Sequence, residues 1–89
     1  MPTSIVETQP HADQVFVTDD ELVVHLVDGR KVSVPLAWYP RLLHASSEER
    51  NEWELIGDGE GIHWPQVDED LSVAGILRGI PARGVKRGA

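Results

Sequence analysis

The segment from Glu21 to Pro35, ELVVHLVDGRKVSVP, constrains the fold more than any other part of the sequence. Apolar and β-branched residues lie on both sides of Asp28-Gly29, a pattern that predicts two antiparallel strands joined by a tight turn. Side chains alternate between the two faces of a strand, so a shift of one residue would move every apolar side chain to the other face. The register of this hairpin therefore decides which residues form the core.

Two loops are compatible with the hairpin. A two-residue turn would place the apolar residues of the first strand opposite proline, serine and lysine, which leaves a half-polar face. A three-residue loop, with Gly29 in the left-handed region, pairs Val24 with Val32, and the apolar side chains of both strands then share one face. We predict the second register, which leaves the opposite face to Val23, His25, Val27, Lys31 and Ser33.

The flanking sequence extends this hairpin at its N-terminal side and adds short helices after it. A turn at Asp19-Asp20 sets Val17 opposite Leu22, giving a three-stranded meander. Pro40 is suited to the first turn of a short helix, where its missing N–H costs nothing. Ser46 and Glu49 have the spacing of a capping box, which predicts the start of a second helix.

A second hairpin is predicted where Trp53–Ile56 and Ile62–Trp64 flank the glycine-rich segment at residues 57–61. A final short helix is predicted between a capping Ser72, with Leu71 packing onto Ile76, and a terminating Gly79. We therefore predict an α+β fold: a small antiparallel sheet, made of the meander and the second hairpin, with short helices on one face. The predicted core consists of Val15, Val17, Leu22, Val24, Leu26, Val32, Val34, Leu42, Leu43, Leu55, Ile62, Trp64, Ile76 and Leu77.

Length and composition predict one small cytoplasmic domain. We expect a flexible arm at residues 1–13, a folded domain at 14–79 and a flexible basic tail at 80–89. The chain has no cysteine, which excludes disulfides and thiolate zinc sites, and no apolar run approaches the roughly 20 residues that span a bilayer. A core this small is marginal, so an oligomer is expected.

The charge is distributed unevenly along the chain. Residues 1–79 contain all 15 acidic residues but five of the eight basic ones, a net charge of −10, while Arg83, Lys86 and Arg87 make the last ten residues +3. Such an acidic body repels phosphate, which argues against direct nucleic-acid binding by the folded part. It is compatible with simple solubility or with attraction to a basic partner.

Four segments, LAWYPRLL (36–43), NEWELIG (51–57), GIHWP (61–65) and DEDLSV (68–73), occur in an order typical of one bacterial family. The chain resembles that family, domain of unknown function 2442, over about residues 14–79. The resemblance implies a small α+β domain similar to the N-terminal domain of a larger bacterial protein that also carries a helix-turn-helix domain. Members also resemble components of toxin-antitoxin-like gene pairs, but no catalytic residues can be carried over.

The most enzyme-like group is His63 with Asp68, Glu69 and Asp70, because imidazole and carboxylates can hold a divalent metal or share a proton. The favoured interpretation is structural: carboxylates just before a short helix stabilise its positive N-terminal end. We therefore expect no catalytic residues, no metal and no cofactor. The alternative is a small-ligand-binding or enzymatic domain that uses this corner.

The favoured function is a non-catalytic interaction or regulatory module. Phe16, Val23, His25 and Val27 would make the exposed sheet face unusually apolar, which suggests contact with a partner. Trp38, the tryptophan that we expect to be partly exposed, could add to this surface, as could Arg41, unless it pairs with Glu52 or Glu54. The expected partner is a second copy, giving a homodimer, or a small basic protein; alternatively, the arm or the tail covers the face.

Overall fold

The computed structural model describes residues 10–80, which form two three-stranded antiparallel sheets and three short α-helices. Sheet 1 consists of β1 (Ala12–Val17), β2 (Glu21–Leu26) and β3 (Lys31–Pro35). A 3-10 helix (Leu36–Trp38), α1 (Pro40–Leu43) and α2 (Ser47–Asn51) follow. Sheet 2 consists of β4 (Glu54–Ile56), β5 (Gly61–Trp64) and β6 (Glu69–Ser72), and α3 (Val73–Arg78) follows directly. The α+β class is confirmed, but the strands form two sheets rather than the single predicted one.

The predicted register of the first hairpin is confirmed. Gly29 is left-handed, with φ of +98°, and its N–H donates to the Leu26 carbonyl at 2.9 Å. The Leu26 N–H donates to the Arg30 carbonyl at 2.8 Å, and Val24 lies opposite Val32. The apolar side chains of β2 and β3 therefore share the inner face of sheet 1.

The two sheets meet where the β4–β5 turn contacts the start of β1. The Ala12 N–H donates to the Gly59 carbonyl at 2.7 Å, and a Cβ on Gly59 would collide with the Ala12 backbone. Gly59 also has a φ of +100°, so both its conformation and its neighbour require glycine. β1 thus begins at Ala12, two residues before the predicted domain start at residue 14. Most of the predicted N-terminal arm (residues 1–13) and of the predicted tail (residues 80–89) lies outside the described residues.

β6 was not predicted, although the second hairpin was. The acidic residues before Ser72 were interpreted as charges at a helix start, but Glu69–Ser72 pair with β5 along its whole length. Leu71 lies opposite Ile62 on the inner face of sheet 2, rather than only preceding the helix as predicted. An acidic segment has a low intrinsic strand propensity, and the pairing with β5 overrides it.

The three α-helices begin as their sequence signals predict, and α3 also ends as predicted. Pro40 occupies the first turn of α1, and Ser46 and Glu49 form both hydrogen bonds of the capping box of α2. The Ser72 hydroxyl accepts from the Gly75 N–H, and left-handed Gly79 terminates α3. Within residues 10–80, no helix is long and apolar enough to cross a membrane.

The inner faces of both sheets and the helices between them enclose one hydrophobic core. Nine of the predicted core residues are buried or nearly so, and Val17, Val32, Leu43 and Leu55 pack partly buried against them. Leu77 was predicted wrongly: it is 36% exposed, because the buried side of α3 passes through Val73 and Ile76. The prediction missed Ala12, Leu36, Tyr39 and Val73, all of which are buried.

Arg50 is the one buried charged residue in the described part of the chain, and it connects four elements. Its guanidinium donates to the Leu42 and Leu43 carbonyls at the end of α1, both at 2.9 Å. The same group donates to the Asp19 carboxylate in the β1–β2 turn at 2.9 Å. The backbone carbonyl of Arg50 accepts from Trp64 Nε1 of β5 at 3.0 Å. Sheet 1, α1, α2 and sheet 2 are thus joined at one residue.

Candidate functional site

The outer face of sheet 1 brings together three of the residues predicted to bind a partner. Phe16 lies directly opposite Val23, and His25 lies one pair further along β2. Phe16 is 45% exposed, and its ring lies 4.9 Å from the His25 ring, centroid to centroid, at an angle of 55°. An exposed aromatic side chain on an otherwise open sheet face is a frequent component of protein interfaces.

Val27 is the first residue of the hairpin loop that follows β2. It follows the last residue of β2 and is 67% exposed. Its N–H donates to the His11 carbonyl at 2.9 Å, which fixes the backbone although the side chain is in solvent. Val27 therefore sits at the margin of the candidate surface, not within the sheet face.

The outer face carries opposite charges at its two ends. Lys31 lies opposite His25 at one end, and Glu21 lies opposite Pro35 at the other. Glu21 and His25 are four residues apart on β2, which corresponds to about 13 Å along the strand. An apolar centre is thus flanked by a cation at one end and a carboxylate at the other.

Trp38 and Arg41 do not belong to this face. Trp38 packs, partly buried, against the core, with its ring 6.5 Å from the Tyr39 ring in an edge-on arrangement. Arg41 Nη1 donates to the Asp68 carbonyl at 2.5 Å and lies 4.0 Å from the Asp68 carboxylate. Arg41 thus forms a structural contact, but with Asp68 rather than with Glu52 or Glu54, the alternative that the sequence left open.

The corner formed by His63 and the acidic segment is only partly assembled. His63 Nδ1 hydrogen-bonds the Asp70 carboxylate across β5 and β6, and this bond is the main reason that the pKa of His63 is raised. Asp68 faces Arg41 instead, from a left-handed position with φ of 55°. Glu69 lies on the inner face, where burial raises the pKa of its carboxyl group.

This separation follows from strand geometry. Adjacent residues of β6 point to opposite faces, so Glu69 and Asp70 cannot both approach His63. Within residues 10–80, no group of three or more His, Cys, Asp or Glu side chains is arranged to hold a metal ion. The His63–Asp70 pair is the part of this corner that can exchange a proton.

A second open surface, on the outer face of sheet 2, was missed by sequence reasoning. Its first row is Glu54, His63 and Asp70, and its second row is Ile56, Gly61 and Ser72. A groove of about 370 Å³ lies over the second row. The signal was present in the sequence, because glycine inside a strand pattern often marks a place where another group approaches closely. Without β6, however, the neighbours of Gly61 could not be identified.

Comparison with known proteins gives a family and a fold. A family model described as "Protein of unknown function (DUF2442)" matches residues 12–82. Comparison with curated proteins gave no match. The matched range covers both sheets and α3, so it includes each of the surfaces described above.

Two solved structures from bacteria are similar to the chain. A crystal structure of a protein of unknown function from Rhodospirillum rubrum is 28% identical, with a TM-score of 0.73, and covers 86% of this chain and 95% of that one. A solution NMR structure of an uncharacterised protein from Chromobacterium violaceum is 21% identical, with a TM-score of 0.70, and covers 83% of this chain and 70% of that one. The second likeness concerns the fold alone.

Proposed function

This chain belongs to the DUF2442 family, and we propose that it is a non-catalytic protein-interaction module that self-associates through the outer face of sheet 1. The observation that supports this proposal is the exposed Phe16 ring, which is tilted against the His25 ring and has Val23 beside it. Burying such a patch removes apolar area from water, at about 25 cal/mol per Å². A domain with a small core gains from this contact, because its own folding buries little apolar surface.

A second copy is the partner that the charges on this face fit best. In such a dimer, the outer faces of sheet 1 in the two copies lie against each other. A two-fold axis between the faces, perpendicular to the strands, makes the strands of the two copies run in opposite directions. Lys31 of one copy then lies over the Glu21 end of the other, and the reciprocal pair forms at the opposite end. The apolar centres meet between these two pairs. The face is therefore complementary to itself in both charge and hydrophobicity.

The other partner predicted from the sequence is a small basic protein encoded nearby, as in a toxin-antitoxin-like pair. This partner stays a prediction. A short open reading frame that encodes a basic protein, adjacent to this gene in the native genome, would favour it. An adjacent operon for a metabolic pathway would instead favour the ligand-binding or enzymatic alternative at His63.

Replacing Phe16 and Val23 together with lysine tests the self-association. The face spans three short strands, so we expect a weak dimer that is best measured by sedimentation velocity at tens of micromolar protein. The double variant should be a folded monomer. Ile56→Lys is the matched control, because Ile56 is equally exposed at 45% but lies on sheet 2. A wild-type chain that is already monomeric, or a control that dissociates as well, would contradict the proposal.

Exchanging the two charges tests the orientation of the dimer in the same experiment. Glu21→Lys or Lys31→Glu alone places like charges together at both ends of the interface and should weaken the dimer. The double exchange restores opposite charges and should recover most of the association. If it dissociates further than either single variant, the two copies do not meet in this orientation.

A further inference from the structure

The outer edge of β6 has no neighbouring strand in the described part of the chain. Sheet 2 has the strand order β4–β5–β6, so β6 pairs on one side only. The Val73 N–H donates to the Glu60 carbonyl at 2.9 Å, which marks a hydrogen-bonded pair at the end of the β5–β6 ladder. Bonded and non-bonded pairs alternate along an antiparallel ladder, so the backbone groups of Asp70 and Ser72 point away from β5. Both residues are exposed, and this edge therefore faces solvent.

Two of the four backbone groups on this edge already have partners within the chain. The Asp70 N–H donates to the Glu69 carboxylate at 3.2 Å. Ser72 is the N-cap of α3, and the carbonyl of an N-cap residue accepts the first hydrogen bond of its helix. The Asp70 carbonyl and the Ser72 N–H remain. An acceptor and a donor on either side of Leu71 are the groups to which a single residue of an added parallel strand binds.

A pocket of about 200 Å³ lies beside this edge, between β6 and α3. Its apolar lining comes from Tyr39, Leu71, Ile76 and Ile80. Leu71 is half-buried on the inner face of sheet 2, whereas Ile80 is 50% exposed. An apolar cavity of about 150 Å³ can hold a molecule of the size of benzene, so this pocket has room for one branched aliphatic side chain.

The free backbone groups and the pocket are placed to recognise the same residue of a partner. Residues side by side in adjacent strands direct their side chains to the same face of the sheet. A residue bonded beside Leu71 therefore directs its side chain to the inner face, where the pocket lies. We propose that the edge of β6 binds an extended segment of a basic partner protein by strand addition, with a valine, isoleucine or leucine of that segment in the pocket. This interaction is separate from the self-association through sheet 1.

Charge favours a basic segment as the occupant of this edge. β6 and the turn before it carry three consecutive carboxylates, Asp68, Glu69 and Asp70. Arg41 offsets one of these charges through Asp68, and no lysine or arginine is among the described residues that line the pocket. A positively charged segment is attracted to this edge before it makes contact, and the carboxylates keep their present partners.

Short peptides test the backbone bonds and the pocket separately. The probe is a blocked peptide with one leucine between serines and a lysine at each end, added at up to millimolar concentration to isotope-labelled protein and followed by NMR. The amide resonances of Leu71 and Ser72 should shift in a saturable manner. Replacing the leucine with alanine should weaken binding by about tenfold, because less apolar surface is buried. N-methylation of the leucine removes its N–H and should weaken binding by about fivefold.

Two outcomes of the peptide titrations would overturn the proposal. Equal affinities of the leucine peptide and its N-methylated form would exclude strand addition. A counterpart with glutamate in place of lysine should bind about fivefold more weakly at low ionic strength. Equal or tighter binding of the glutamate peptide would exclude a basic occupant.

Gly75→Ala narrows the pocket without a change of charge. A Cβ on Gly75 would lie 3.6 Å from the Ser72 side chain, which is an ordinary contact. Alanine also favours a helix more than glycine does, so the variant should fold normally. The added methyl group should weaken binding of the leucine peptide by about threefold. Unchanged binding in the folded variant would overturn the proposal.

Ile80→Ser removes the exposed wall of the pocket. It should weaken binding of the leucine peptide by about threefold, because the leucine loses an apolar neighbour. Leu77→Ser is the matched control, since Leu77 is exposed at 36% but does not line the pocket. An equal loss in the control would place the binding elsewhere and would overturn the proposal.

Other parts of this chain are the competing occupants of the pocket. Ile5, Val6 and Val85 are the branched aliphatic residues outside the described part of the chain. Replacing all three with serine should leave the affinity for the leucine peptide within about twofold. A larger gain would mean that one of these residues occupies the pocket, which overturns the assignment to a partner protein.

Sedimentation velocity distinguishes a partner protein from a second copy of this chain. Ile80→Ser should sediment as the wild type does, whereas a shift to lower mass would place a second copy at this edge and would overturn the proposal. The Phe16 and Val23 double variant should bind the leucine peptide as the wild type does. A failure of the sheet 1 dimer is therefore distinguishable from a failure of strand addition at β6.

Discussion

Tyr39 is one of the most deeply buried side chains, and its hydroxyl group has no hydrogen-bond partner among the described residues. Burial, with a smaller effect of the negative charge of Glu69, raises the pKa of Tyr39 to about 12. The phenol is therefore neutral at physiological pH, and its ring contributes to the core as a phenylalanine ring would. An unpaired buried hydroxyl costs free energy that no bond in the folded state offsets.

Replacing Tyr39 with phenylalanine should stabilise the protein. The variant keeps the ring and removes the unpaired hydroxyl, so the free energy of unfolding should rise by about 1 kcal/mol. Urea denaturation measures this change. Tyr39→Ala is the control for the ring itself and should lower the free energy of unfolding by about 3–5 kcal/mol. A loss of stability in Tyr39→Phe would show that the hydroxyl group is bonded in solution.

The burial and the contacts of some single residues could not be predicted from the sequence. Leu36 and Tyr39 lie between a strand and a helix, where no period of two or 3.6 marks a buried side chain. The contact between Arg41 and Asp68 was not among the alternatives that the sequence offered, because Asp68 lies in a turn between β5 and β6 that was not predicted. Contacts between distant segments depend on the placement of whole elements, which local patterns do not contain.

At the scale of elements, the first hairpin could be predicted in detail. Apolar residues at every second position of β2 and β3 share a face in one register, and Gly29 supplies the turn that this register requires. β6 could not be predicted in this way, because its acidic sequence resembles a helix start. Half of the candidate groove is built by β6, so the groove was also not predictable.

Two alanine substitutions measure this register in solution. Leu26 is buried, and Leu26→Ala should lower the free energy of unfolding by about 2–5 kcal/mol through the cavity that it leaves. Val27 is the next residue but is largely exposed, so Val27→Ala should cost well under half as much. Chemical denaturation of both variants gives the comparison. Equal costs would mean that the hairpin has a different register in solution.

At the scale of the whole molecule, two sheets and three short helices are held in one arrangement chiefly by the shared core and by Arg50. The sequence does not mark Arg50 as special, since a charged residue in a short polar helix is usually exposed. Its burial is possible because its guanidinium has three acceptors: two carbonyls and the Asp19 carboxylate. Those acceptors come from parts of the chain that are far apart in sequence.

Replacing Arg50 with methionine should be strongly destabilising. The variant keeps an apolar stem but leaves the Leu42 and Leu43 carbonyls without their donor, so we expect a loss of about 3 kcal/mol in urea denaturation. Asp19→Asn is the control, and it should change stability little because Asp19 is almost fully exposed. A large effect in the control and a small one in Arg50→Met would reverse the roles of the two residues.

The bonds of Arg50 should also determine whether the two sheets unfold together or separately. Its side chain bonds the turn of sheet 1, and its carbonyl accepts from Trp64 of sheet 2, so neither sheet can detach while this residue keeps all its bonds. Amide protons in both sheets should then exchange with deuterium through one shared global opening, at a single free energy. Without the guanidinium, the turn of sheet 1 would lose this link, whereas Trp64 would keep its bond to the Arg50 carbonyl and the two sheets would keep their shared core.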